Sequence, residues 1–409
     1  MAVLVASQLL AEAGARTGLG DFGDERFRPA FERLVDSLAR ETVFSPHGAT
    51  AAHERLLRVL VNRLRMQEDI RRHPQILQQQ MLPPVVVVGL PRTGSTKLHR
   101  MLAASGTFQD VLFWQGYNPA PFPAAAGDGT PREVDATRAA AAGAQHSDED
   151  PRIADAVRFL QWRASANPAT NAAHFIAATE PEEESYLLEM SFGTYYPAAF
   201  WNLPSYLAWL RPQDRDWVYL YLRQQLQYLQ WQFHRGDVKP WILKSPPNLG
   251  FEREIARHFP GARFLMLHRD PAEAIPSVAA VSRESRRLYF RDAPDYPAIA
   301  AWALDEMASA MDRAMAWRET RPDNLVLDIS YDDIQDRELE VAERVYAALG
   351  VPLTERIRTA MQGWLRENTQ HKHGRHQYSV DESGLTVQRI HARFAAYIGR
   401  YADYLTIES

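Results

Sequence analysis

Between Gly89 and Thr96 the chain reads GLPRTGST, which places two glycines, one arginine and three hydroxyl side chains within reach of one another. Glycines allow backbone to approach an anion closely, and a guanidinium grips phosphate or sulfate at two points. Ser95-Thr96 then opens an apolar helical stretch with Leu98, Met101 and Leu102, whose unpaired N–H groups and dipole favour negative charge. The Gly-x-x-x-x-Gly spacing is that of a P-loop with one departure: Ser95 stands where a nucleotide hydrolase carries its lysine. That lysine reaches the β- and γ-phosphates, so the loop is suited to holding an anion and poorly equipped for ATP cleavage. Arg92 is the cation inside the loop, and Lys97, already on the helix, reads as a solvated surface charge.

A second set of anion ligands lies in HRDPAEAIPS, residues 268–277. Arg269 leaves a strand end, and Ser277 follows eight residues later, about two helical turns on if the helix starts at Asp270. Asp270 has a simpler reading as the cap of a helix opened by Pro271. Carboxylates cluster at Glu182-Glu183-Glu184, where Thr179-x-x-Glu182 also matches a capping box and accounts for Glu182 by itself.

These residues must be carried on a framework, and Pro84–Val88 supplies its centre: four consecutive valines suit a strand covered on both faces. Further strands are expected at 241–244, 263–268 and 325–329, each ending in polar residues and followed by a helical pattern. That order predicts an α/β fold, P-loop-like and three-layered, with a central parallel sheet flanked by helices and ligands at the strands' carboxyl ends. Residues 1–80 are expected to be helical, with Leu56, Leu57, Leu60, Val61 and Leu64 forming an apolar stripe. The Pro-, Ala- and Gly-rich stretch from 118 to 151 reads as an irregular excursion. In the aromatic helix at 214–234, Trp217, Tyr221, Tyr228 and Trp231 lie off the apolar stripe. Two roles are open to them: lining a ligand pocket or packing against the N-terminal helices.

The chain has 409 residues, a net charge of -5 and no cysteine. These values exclude disulfides, cysteine nucleophiles and cysteine-ligated zinc, and they argue against a nucleic-acid partner. MAVLVASQLLAEAGA lacks the positive start of a signal peptide, and no run is long enough for a membrane span, so a cytoplasmic enzyme is expected.

Pro91-Arg92-Thr93-Gly94-Ser95-Thr96, Arg269 with Ser277, the Trp-x-x-Lys-Ser-Pro segment at 241–246, FPGARFLMLHRDP and a late HGRHQYSVDESGL together resemble bacterial sulfotransferases that use 3′-phosphoadenosine-5′-phosphosulfate. The likeness runs from about residue 83 to residue 400 and is specific for the donor rather than the acceptor. It implies one sulfotransferase domain over 1–409, with a helical elaboration at 1–80 and a donor-binding core at 83–110 and 236–350. A helical acceptor lid at 111–235 and a helical C-terminal part at 351–409 complete it. It further implies that Arg92, Thr93, Gly94, Ser95 and Thr96 hold the 5′-phosphosulfate, with Arg92 also stabilising the bridging oxygen. Arg269 and Ser277 then take the 3′-phosphate, and a basic loop with Lys372 and Arg375 closes over the donor.

The acceptor implied is a small molecule bearing a hydroxyl, and the aromatic residues of 214–234 lead us to expect a lipophilic or aromatic one; a homodimer is left open. Because the donor arrives activated, no metal is required. The resemblance makes Glu183 the first candidate for the base and Glu182 the second, with Lys244 neutralising sulfuryl or phosphate oxygens. Relatives often have His after Lys-Ser-Pro-x, whereas this chain has Asn248, which leaves His99 as a substitute base. A P-loop kinase or hydrolase, with Asp328 as its acidic strand end, and a non-catalytic nucleotide-binding relative are the competing readings.

Overall fold

The computed structural model describes residues 4–123, 150–234, 236, 238–321, 325–369 and 381–407. Four strands, β1 (Val85–Gly89), β2 (Ile242–Lys244), β3 (Arg263–His268) and β4 (Val326–Ser330), form one sheet in the order β2-β1-β3-β4. All three pairings are parallel. The α/β expectation is therefore met, with the second and fourth strands each starting one residue later than the sequence suggests.

The valine run explains why the sheet is covered on both sides. Val86 and Val88 pack into a large core with the N-terminal helices, whereas Val85 and Val87 face a second core with Leu98, Leu102 and Val345. On β3, Phe264 and Met266 join the first core, and Leu265 and Leu267 the second. Side chains alternate along a strand, so two buried faces require an unbroken apolar run.

Residues 1–80 contribute helices at Ala6–Thr17, Phe27–Glu41 and Pro46–Arg72. Leu56, Leu57, Leu60 and Leu64 of the last are buried in the first core, against which Val61 packs. Asp216–Phe233 is the aromatic helix, and its off-stripe rings resolve the open choice in favour of packing. Tyr228 donates its hydroxyl hydrogen to Asp69 at 2.5 Å, Tyr221 faces the Arg63 guanidinium at 4.3 Å, and Trp231 lies 5.1 Å from the His73 ring.

At the carboxyl end of β1, Gly89 has φ 136, and a Cβ there would sit 2.5 Å from the Leu267 carbonyl oxygen of β3. Both the backbone angle and the strand contact exclude a side chain. Gly89→Ala should lower stability by about 1–3 kcal/mol. Urea unfolding checks this, and a midpoint equal to wild type would show that strand β3 yields.

Candidate active site

The loop after β1 is shaped by two left-handed residues, Arg92 with φ 71 and Gly94 with φ 78. Gly94 takes that conformation without a Cβ penalty and stands at the N-cap of the Ser95–Ala104 helix. For Arg92 it is strained, by about 1–2 kcal/mol, and something must hold it. Arg269 does so, donating from its guanidinium to the Arg92 carbonyl at 2.7 Å. The Arg92 side chain returns the link, its Nε donating to Ser277 Oγ at 3.1 Å. Arg269 also pairs with Glu273 and lies 4.0 Å over the Tyr331 ring. The two anion-binding motifs thus form one cradle.

Ser277 reaches it because Asp270 starts the Pro271–Arg287 helix where the simpler reading places it, accepting from the Ala272 N–H at 2.8 Å. Not every loop hydroxyl faces the cradle. Thr93 is buried and donates to the Leu90 carbonyl at 2.7 Å, so its side chain closes the turn and its backbone is what the loop presents. Ser95 and Thr96 open the helix and line a cavity of about 470 Å³ together with Arg92, Gly94 and Arg269. Lys97 is no free surface charge: it pairs with Glu338 at 2.7 Å and donates to the Gln335 carbonyl at 3.3 Å. A neighbouring acid from the helices after β4 captures it. Lys372 and Arg375 lie outside the described residues.

Lys244, at the carboxyl end of β2, points its ammonium at the same place. Its side chain is 3% exposed, and Nζ donates to Glu183 Oε1 at 2.6 Å and to Thr96 Oγ1 at 3.2 Å. Ser185 donates to the other Glu183 oxygen at 3.1 Å. The three glutamates therefore diverge. Glu183 faces the cavity, and Glu182 is pinned by Arg100 and His174, each at 3.2 Å. Glu184 turns inward, accepting from the Lys244 backbone N–H at 2.8 Å and from Asn248 Nδ2 at 2.5 Å.

The capping-box reading of Glu182 fails, because the following helix begins only at Ser185. Residues before it are drawn out instead: Pro181 bridges Leu112, and the Glu182 N–H donates to the Val111 carbonyl at 2.8 Å. Burial works against ionisation of Glu182, yet His174, Lys244 and Arg100 hold its carboxyl well below the usual range. Burial pushes Glu184 up to about 7, beyond what its hydrogen bonds to Asn248 and Lys244 offset.

His99 does not line the cavity. Its imidazole is buried on the loop helix and hydrogen-bonded to the Ile242 backbone, and burial with the Lys244 ammonium pushes it down to about 3. A histidine so placed packs the core as a neutral ring. Asp328 is likewise engaged, receiving His268 Nε2 at 2.8 Å and both Arg318 terminal nitrogens at 2.5 Å. It neutralises a buried arginine instead of facing the phosphate loop.

Beyond Glu183 the cavity is walled by Tyr186, Tyr195, Tyr196, Phe200 and Trp302. None of the four off-stripe rings of the Asp216–Phe233 helix takes part. Tyr186, Tyr195, Tyr196 and Phe200 fall in SYLLEMSFGTYYPAAF just after the glutamates, an aromatic cluster without a motif to mark it in the sequence, and Trp302 comes from the Tyr296–Glu319 helix. His174 was also missed; its signal was a position eight residues before Glu182.

Glu184 links the site to stability. Its folded-state value near 7 lies above the ordinary 4.5, so the folded protein binds the extra proton between those limits. Its contribution is fully present below pH 4.5 and is lost as pH rises through 7. Glu184→Gln should therefore gain stability relative to wild type across that window, by about 1–3 kcal/mol at its upper end. Parallel denaturation curves from pH 4.5 to 8 test this; a constant difference would show that Glu184 does not titrate there.

Comparisons with known proteins place this arrangement. The chain is similar to sulfotransferase STF9 from Mycobacterium avium, with a TM-score of 0.81 and 26% identity over 98% of this chain and 97% of that one. It is similar also to sulfotransferase STF1 from Mycobacterium tuberculosis H37Rv, with a TM-score of 0.79 and 27% identity over 96% and 99% of the two chains. Comparison with curated proteins returned no significant match. Among the described residues no helix is long and apolar enough to cross a membrane. The model of the sulfotransferase family matches residues 83–355, spanning the phosphate loop, the glutamates, Lys244 and Arg269, and the chain belongs to that family.

Proposed function

We propose that the protein transfers a sulfuryl group from 3′-phosphoadenosine-5′-phosphosulfate to the hydroxyl of a small lipophilic or aromatic acceptor. The observation that carries this reading is the shared cradle, in which Arg269, Arg92 and Ser277 are joined at 2.7 and 3.1 Å. A donor phosphorylated at both the 3′ and 5′ positions needs two anion sites of this kind, whereas a simple nucleotide needs one. The residues fit such a group: Arg269 Nε is a buried donor without a partner among the described residues. The helix N-terminus at Ser95 adds N–H groups that suit the 5′ end.

When bound, the donor supplies a sulfate already activated by its phosphate anhydride link. Arg92, Ser95, Thr96 and the loop backbone hold the phosphosulfate, and Arg269 and Ser277 hold the 3′-phosphate. Lys244, already 3.2 Å from Thr96 Oγ1, neutralises charge on the sulfuryl or leaving oxygens. Positive charge thus comes from side chains, and the reaction requires no metal in this reading. The aromatic wall excludes water and favours an acceptor with an apolar body.

Calorimetric titration with 3′-phosphoadenosine-5′-phosphate, against ADP and against ATP with and without magnesium, tests the donor. The 3′-phosphorylated ligand should bind at least about tenfold more tightly than ADP, as loss of a charged hydrogen bond costs about 1.5–3 kcal/mol. Arg269→Ala should abolish that preference, and Arg92→Ala should weaken both ligands. Stronger binding of ATP with magnesium would overturn the reading in favour of a kinase. Donor binding with no sulfate transfer to any of a panel of alcohols and phenols would indicate a non-catalytic relative.

A further inference from the structure

We propose that His174 removes the acceptor proton, with Glu182 as its positioning residue, a role that rests on the sulfuryl-transfer reading above. His174 lines the cavity beside Glu183, and its side chain is 23% exposed. Its Nε2 lies 3.2 Å from Glu182 Oε1, so the neutral ring carries its hydrogen there. In that tautomer the other nitrogen, Nδ1, is the one with a lone pair to take a proton.

Glu182 is suited to this support. Its side chain is 2% exposed, its carboxylate is held ionised, and its oxygens also accept from Arg100 at 3.2 Å and from the Glu183 N–H at 3.0 Å. The backbone that carries the ring is held as well, Arg163 donating to the His174 carbonyl at 2.9 Å. Glu183 is differently committed, one oxygen to the Lys244 ammonium at 2.6 Å and the other to the Ser185 hydroxyl at 3.1 Å. Both of its oxygens therefore already accept hydrogen bonds from the protein. A ligating atom of each of His174, Glu182 and Glu183 lies within 4.8 Å of the others, so a hydroxyl at Glu183 is also near the imidazole.

The step balances without a further reactant. The acceptor O–H gives its proton to His174 Nδ1 while the oxygen lone pair forms the new O–S bond. The bond from sulfur to the bridging phosphate oxygen breaks, and that oxygen keeps the electron pair. The imidazolium produced is paired with Glu182. The charged groups around the imidazole are the carboxylates of Glu182 and Glu183 and the cations of Arg163, Arg100 and Lys244.

The test uses the full chain, radiolabelled donor, mildly alkaline buffer and two probe acceptors, 1-decanol, which needs a base, and 4-nitrophenol, which is largely ionised under those conditions. His174→Asn should reduce kcat for 1-decanol by about a hundredfold or more and for 4-nitrophenol by less than about threefold. Added imidazole should restore His174→Ala toward wild type. Equal losses with both acceptors, or a large loss in Glu183→Gln beside an unaffected His174→Asn, would overturn the proposal and return the role to Glu183.

A readout free of turnover is the nitrogen NMR titration of His174 with 3′-phosphoadenosine-5′-phosphate bound. The ring should carry its neutral-state hydrogen on Nε2, and Glu182→Gln should lower its pKa. A ring with the hydrogen on Nδ1, or one indifferent to Glu182→Gln, would sink the idea even if neither probe is sulfated. Retained binding of the bisphosphate by His174→Asn separates this result from failure of the donor reading, which wild type unable to bind it would reveal.

Discussion

A lysine ammonium at the end of β2, with its side chain 3% exposed, cannot be left without a counter-charge, and much of the site is arranged around that constraint. Glu183 supplies the charge at 2.6 Å, and removing one partner of such a buried pair costs about 3–5 kcal/mol. To present Glu183 there, residues 181–184 leave helical geometry and dock on Val111 and Leu112. Three successive carboxylates are thereby sent in three directions. Each meets different partners: a lysine, a histidine with an arginine, and a backbone amide with an asparagine.

The cradle after β1 obeys a related rule, since its two arginines hold one another's geometry. Arg92 keeps a left-handed backbone because Arg269 binds its carbonyl, and Ser277 receives the Arg92 side chain. Close approach of β1 to β3 at Gly89 and Leu267 brings the two strand ends near enough for this exchange. Pairing on the other flank of β1 lets Lys244 of β2 reach Thr96. Strand order thus gathers ligands that are about 150 to 180 residues apart in the chain.

The N-terminal helices are tied to the aromatic wall of the cavity. Arg55, on the Pro46–Arg72 helix, lies 3.9 Å over the Phe200 ring and pairs with Glu189 at 2.5 Å. The cation therefore backs a ring that lines the cavity while its charge is met by the short helix following the glutamates. Such contacts make the first 80 residues part of the pocket's support rather than an appendage.

Patterns that depend on neighbours along the chain are legible in the sequence. The valine run, the glycine loop, the capped helix after Arg269 and the strand–helix order are local patterns, and they suffice for a parallel sheet with polar residues at its ends. Which side chains meet follows from packing. His99 and Asp328 look available in sequence and are consumed by burial and by Arg318, while Lys97 is captured by Glu338. The Thr179-x-x-Glu182 pattern offered a cap, but pairing with Val111 and Leu112 outweighed it. The aromatic helix turned Tyr221 and Tyr228 to the Pro46–Arg72 helix, leaving the cavity to Tyr195, Tyr196 and Phe200. Burial, charge pairing and side-chain direction are properties of packed neighbours from distant segments, and no spacing along one strand or helix contains them.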